Sequence, residues 1–132
     1  MKKLLLFLFM LIPNHAQESE YQFKGTHYIA SYKGCSKEIN NIHRTFCYFL
    51  IGIQEAGATI LHFQMHPFSE ISMTGTAILS ESHASIHTYP EHNSVFIDLF
   101  TCGTKTDWKK FEEIMVDYLK PKVVDRKIIY RK

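Results

Sequence analysis

The stretch LSESHASIHTYPE, residues 79–91, and the nearby DLFTCG, residues 98–103, gather a serine, two histidines and a cysteine. Ser82 is a candidate nucleophile, the histidines offer a base, and Cys102 is a thiol acid. PEHN, residues 90–93, reads as a four-residue hairpin loop between strands 83–89 and 94–101. If Tyr89 pairs with Ser94, His87 falls opposite Phe96, Ser82 opposite Thr101, and Cys102 opposite Glu81. Alternation along the strand then sets His83, Ser85 and His87 on one face. By residue type this is a catalytic constellation, assembled by local pairing. Each member also has an ordinary reading: a turn serine, a hydrogen-bonded histidine, a small buried thiol. A zinc site made of His83, His87, His92 and Cys102 is another option, although the spacing follows no common zinc pattern.

The elements that must position these groups are legible as periodicity. FKGTHYIASYK, residues 23–33, reads as a strand ending at Gly34. Ser36 is placed to cap a helix running to about Ala56, with Ile39, Ile42, Phe46, Phe49, Leu50 and Ile53 at helical spacing and Gly57 as its stop. ATILHFQM (58–65), SMTGTAIL (72–79), HASIHTY (83–89) and SVFIDLFT (94–101) read as four strands, with a loop around Pro67. Thr106 or Asp107 caps a second amphipathic helix whose stripe is Trp108, Phe111, Ile114, Met115, Tyr118 and Leu119. Pro121 closes that helix and VVDRKIIY supplies a last strand. The order predicts an α+β fold: an antiparallel sheet with two helices packed on one face. A sheet covered on one side only commonly hides its other face in a dimer.

The bulk numbers fit one domain. The chain has 132 residues, 45% hydrophobic and 21% charged, enough for one core and too few for two. A net charge of +2 gives no ground for a nucleic-acid partner. The basic residues near the end are interrupted by Val123, Val124, Ile128, Ile129 and Tyr130, the pattern of a solvated strand. Cys35, Cys47 and Cys102 form no CxxC and do not pair off, which argues against a disulfide framework and leaves a thiol free to react.

Residues 1–17, MKKLLLFLFMLIPNHAQ, stand apart. Two lysines, an apolar run from Leu4 to Ile12 and a polar stretch with Ala16 have the layout of a secretory signal, and the run is too short to span a bilayer. A cut after Ala16 leaves Asn14 where a small residue is expected, and a start at Met10 removes most of the apolar run. The single domain is expected over 22–132, with membrane contact only if residues 1–17 are retained.

The joint pattern SESHASIHTYPE with TCG resembles the processing and active-site segment of bacterial S-adenosylmethionine decarboxylases, pyruvoyl enzymes of polyamine (spermidine) synthesis. The likeness extends to GTHYIASYKGC (25–35) and EAGATIL (55–61). It implies a proenzyme cut between Glu81 and Ser82 into chains 1–81 and 82–132, with Ser82 becoming a covalent pyruvoyl group. That group would bind substrate as a Schiff base and stand in for pyridoxal phosphate, without a metal. The resemblance makes His87 the processing base and Cys102 the proton donor in turnover. It gives processing support to Thr74, where the family carries a serine. Phe68 and Tyr89 would stack on adenine, Tyr89 standing where the family usually has tryptophan, and Glu91 would grip the ribose. His27 and His83 match family positions as well. The family dimerises into a larger αβ sandwich, so a homodimer of processed units is expected. A pyruvoyl decarboxylase of ornithine or arginine, and an exported, non-catalytic binding module, are the alternative readings. The chemistry places the protein in the cytoplasm, whereas residues 1–17 point outward, and the sequence leaves the location open.

Overall fold

Burial alternates along the strands, and the alternation sorts the chain into a covered and an open side. The computed structural model describes residues 23–132, and the signal-like segment 1–17 lies outside them. Six strands, β1 (Gly25–Lys33), β2 (Ile60–Pro67), β3 (Met73–Leu79), β4 (Ser82–Tyr89), β5 (Ser94–Cys102) and β6 (Val123–Arg131), form one sheet in the order β2-β3-β4-β5-β1-β6. Every neighbouring pair is antiparallel. Two helices, α1 (Ile42–Glu55) and α2 (Trp108–Leu119), cover one face. This is the α+β architecture expected from the sequence.

The covered face carries Tyr28, Ala30, Tyr32, Met73, Ala77, Ala84, Ile86, Val95, Ile97 and Leu99, all buried. Against it lie Phe46, Phe49 and Ile53 of α1 and Phe111, Met115 and Leu119 of α2, the residues that the helical spacing selects. Leu50 is only partly buried. Gly75 permits the close approach of α1: a Cβ there would lie 2.4 Å from the ring of Phe46. Burying these side chains is the main stabilising term of the fold, at roughly 25 cal/mol per Å² of apolar surface.

Several boundaries differ from the sequence reading. Ser36 does not cap the long helix; it precedes a short 3₁₀ turn, Lys37–Asn40, and makes no side-chain cap bond. Asn41 takes the role instead, its Oδ1 accepting from the Arg44 N–H at 3.0 Å. Asn41 sits three residues before that free N–H, where a side-chain oxygen satisfies it best. At α2 the cap is Asp107, one of the two expected candidates, whose carboxylate accepts from the Lys109 N–H. β2 starts at Ile60, two residues late, is irregular between Ile60 and His62, and runs on to Pro67. β1 starts at Gly25 rather than Phe23. Gly57, with φ +90°, ends α1 as expected.

The open face carries the polar groups singled out above together with exposed apolar ones: Ile29, Ile78, Phe96 and Ile129. A partly apolar sheet face of this kind is characteristic of an interaction surface.

Candidate active site

The β4–β5 register is the one predicted: Tyr89 opposite Ser94, His87 opposite Phe96, Ser82 opposite Thr101. Beyond it, the Cys102 N–H donates to the Glu81 carbonyl at 2.9 Å. The Glu81–Ser82 peptide lies in the tight turn joining β3 to β4, between the paired residues Leu79 and Ser82. This turn is tied down from outside. The Thr59 N–H donates to the Glu81 carboxylate at 2.9 Å, and the Ser80 N–H donates to the Thr59 carbonyl at 2.9 Å. Ser82 has φ +155°, a value that non-glycine residues seldom adopt. A serine next to a fixed, polarised carbonyl is chemically competent for attack on its own peptide bond, because the N–H that holds the carbonyl also stabilises the oxyanion formed there.

A second cluster adjoins this turn. The Ser82 Oγ lies 3.4 Å from His83 Nδ1, and His83 Nε2 lies 3.9 Å from Asp98 Oδ2. Asp98 Oδ2 accepts from His27 Nε2 at 2.8 Å, and Ser85 donates to Oδ1. Strands β1, β4 and β5 thus converge on one carboxylate. Asp98 and His27 escape a local reading of the sequence. Asp98 shares the face of Phe96 and Phe100 by alternation, but His27 meets it through the β1–β5 pairing, 71 residues away in the chain.

The remaining candidates assemble elsewhere on the open face. Thr74 is directly opposite His87, and Thr74 Oγ1 is hydrogen-bonded to His87 Nδ1. The His87 ring lies 4.4 Å from Tyr89 and 5.8 Å from Phe68, centroid to centroid. Tyr89 in turn contacts Phe96 at 5.1 Å. Phe68 is 63% exposed, so it is no core phenylalanine. Glu91 is exposed in the turn Pro90–His92. Thr74 and His87 line a hollow of about 410 Å³ with His27, Ser31, Ser85, Phe96 and Asp98. Cys102 lines a separate hollow of about 230 Å³, with Gly25, Phe100 and Arg131.

The expected constellation is therefore divided. Glu81, Ser82 and Cys102 meet at one end of the β4–β5 hairpin, and Thr74, His87, Phe68 and Tyr89 meet nearer the other. His87 lies five residue steps along the strand from Ser82, a span of about 16 Å at roughly 3.3 Å per residue. Within one subunit, His87 does not reach Ser82.

The zinc set His83, His87, His92 and Cys102 is not brought together. Among the described residues the one group of three or more potential metal ligands is His27, His83 and Asp98, whose ligand atoms lie within 4.8 Å of one another. All three cysteines are free thiols. Burial pushes the Cys35 thiol up to about 11, which makes it inert, while Cys102 is only partly covered.

The two-layer α+β sandwich thus brings Ser82, the Glu81–Ser82 peptide and Cys102 together at one sheet end. Comparison with known proteins defines the family. The model of the family described as S-adenosylmethionine decarboxylase matches residues 26–132, and the chain belongs to that family. The S-adenosylmethionine decarboxylase proenzyme of Fervidobacterium nodosum is 40% identical over 89 residues, which are 66% of this chain and 65% of that one. Against that relative the chain spans a little under two thirds of the length. The proenzyme of Sulfurihydrogenibium sp. is 36% identical over 108 residues, 81% of each chain. The crystal structure of the Aquifex aeolicus adenosylmethionine decarboxylase superposes with a TM-score of 0.75 at 26% identity, covering 83% of this chain and 92% of that one.

Proposed function

We propose that this protein is a self-processing, pyruvoyl-dependent carboxy-lyase whose substrate is S-adenosylmethionine and whose product feeds spermidine synthesis. The observation that carries the reading is the Glu81 carbonyl held by the Cys102 N–H immediately before Ser82, in a chain belonging to this family.

Processing runs in two stages. The Ser82 hydroxyl adds to the Glu81 carbonyl carbon, the Glu81–Ser82 C–N bond breaks, and the amide becomes an ester with a free amine at residue 82. A base then removes the Ser82 α-proton, the Cβ–Oγ bond breaks, and Glu81 departs as a carboxylate. The dehydroalanine left on residue 82 takes up water and loses ammonia, giving a pyruvoyl end on chain 82–132 and leaving chain 1–81. The residues present fit such a group, since position 82 adjoins the Cys102 backbone and opens towards an imidazole.

The resemblance gives the α-proton step to His87, which a single chain holds about 16 Å along the strand from Ser82. His87 is hydrogen-bonded through Nδ1 to Thr74, which orients the ring and leaves Nε2 for the proton. Two copies meeting across their open faces bring His87 of one to Ser82 of the other, and twofold symmetry makes the exchange reciprocal. The exposed Ile29, Ile78, Phe96 and Ile129 supply apolar area for that contact. The protein is therefore a homodimer of the domain 22–132 with two composite sites.

In turnover the pyruvoyl group supplies the electron sink for loss of carbon dioxide, the work that pyridoxal phosphate does in other decarboxylases. Cys102 returns a proton to the α-carbon. Phe68 and Tyr89, already next to His87, sandwich the adenine, and Glu91 accepts hydrogen bonds from the ribose hydroxyls. Tyrosine offers less stacking area than tryptophan but keeps the geometry.

Carbon dioxide release from carboxyl-labelled substrates tests this assignment. S-adenosylmethionine is expected to be decarboxylated by wild type and not by Ser82→Ala, with ornithine and arginine turned over at least 100-fold more slowly, since neither engages the adenine and ribose contacts. Preference for ornithine or arginine would move the substrate to a basic amino acid while leaving the pyruvoyl chemistry in place.

A further inference from the structure

We propose that His83, held by Asp98, is the catalytic base of the first processing step: it takes the Ser82 hydroxyl proton and returns it to the departing nitrogen. The proposal rests on the self-cleavage reading and assigns a residue that the reading leaves without a role.

The two stages of processing each require a proton to be removed, and from different atoms. The first comes from Oγ of Ser82 and the second from its α-carbon. His87 lies about 16 Å along the strand from Ser82 of its own chain, so in the composite site it comes from the other copy. One imidazole already stands at the hydroxyl. His83 Nδ1 is 3.4 Å from Ser82 Oγ in the same chain, and His83 Nε2 faces Asp98 Oδ2 at 3.9 Å. The order serine hydroxyl, imidazole, carboxylate is that of an activated nucleophile, with the base oriented by a third group.

Asp98 is itself fixed. Its Oδ2 accepts from His27 and its Oδ1 from Ser85, so both oxygens are anchored by neighbouring strands. The carboxylate is 21% exposed and His83 52% exposed, and Asp98 carries the two hydrogen bonds that fix its orientation. When His83 takes the proton, the imidazolium comes to lie beside an anchored anion and is stabilised by it. Asp98 is thus a positioning residue, with His27 behind it.

The step balances as an isomerisation. The Ser82 Oγ–H proton passes to His83 Nδ1 as Oγ bonds to the Glu81 carbonyl carbon. The negative charge on the carbonyl oxygen is met by the Cys102 N–H. The C–N bond then breaks, and the same proton goes to the Ser82 nitrogen. The ester forms, the amine is free, and His83 is neutral again. The peptide being broken precedes a residue at φ +155°, so opening it also removes an unfavourable backbone conformation.

The test separates the two stages by the chemistry of the uncut chain. Wild type, Ser82→Ala, His83→Ala, His87→Ala and Asp98→Asn are made in a cell-free system, and cleavage is followed by intact mass. Samples are split with and without hydroxylamine, which cuts esters and spares amides. His83→Ala is expected to cleave about 10²–10⁴-fold more slowly than wild type, to stay whole in hydroxylamine, and to be restored in part by added imidazole. Asp98→Asn should slow cleavage less, again with no ester accumulating. His87→Ala should accumulate a chain that hydroxylamine splits between residues 81 and 82. A misfolded His83 variant would not respond to imidazole, and its mass result is then replaced by that of His83→Gln, which keeps polarity and approximate size and is expected to stall as amide too.

Cleavage of both His83 variants at the wild-type rate, or stalling of both as an ester, overturns the assignment and leaves self-cleavage standing. Loss of wild-type cleavage on adding EDTA also overturns it, because His27, His83 and Asp98 would then be acting as metal ligands. A wild-type chain that stays whole removes self-cleavage, and this assignment with it.

Discussion

Expressed together in one cell, the Ser82→Ala and His87→Ala chains are expected to restore a cleavage that neither shows alone. Each variant by itself lacks one half of every site. In the mixed dimer, one site combines Ser82 from the His87→Ala chain with His87 from the Ser82→Ala chain and is complete. The reciprocal site lacks both groups. Random pairing puts about half of the Ser82-bearing chains in mixed dimers, so about half of them should be cut, and none of the others. The effect is large because removing a general base costs roughly 10²–10⁴ in rate. A size tag on one variant identifies the cut chain by mass. Efficient cleavage of the His87→Ala chain expressed alone would show that His87 is not the base, and a mixture in which nothing is cut would show that the halves do not meet across an interface.

Cys102→Ala should separate processing from turnover. The side chain is the proposed proton donor, but the group that holds the Glu81 carbonyl at 2.9 Å is the backbone N–H of the same residue, and alanine keeps it. Chain cleavage is therefore expected to proceed within a few-fold of the wild-type rate, while carbon dioxide release falls about 10²–10⁴-fold. The fold should tolerate the change, since Cys102 sits at the end of β5 and is only partly covered. Loss of cleavage together with turnover would place the thiol in the processing step instead.

The parts of this molecule that were legible in the sequence are those fixed by short-range rules. The β4–β5 register follows from a four-residue loop and strict alternation, which together set Cys102 at the Glu81 carbonyl. The helical stripes of α1 and α2 were equally plain, because Phe46, Phe49, Phe111 and Met115 recur at the spacing of one buried face. The cap of α1 is not legible in the sequence because Ser36 and Asn41 are both competent capping residues, and only the intervening 3₁₀ turn decides between them. Asp98 and His27 could not be joined from sequence, since β1 enters the sheet between β5 and β6 and that pairing is non-local. The division of the site was in principle visible. The five-residue step along one strand from Ser82 to His87 already sets them too far apart to meet within one chain.

The most direct test of the central claim is the intact mass of the purified, denatured protein. The account predicts two chains separated at Glu81–Ser82, the second lighter than a serine-terminated chain by the elements of ammonia because it begins with a pyruvoyl group. A single chain with the Glu81–Ser82 bond unbroken would contradict it.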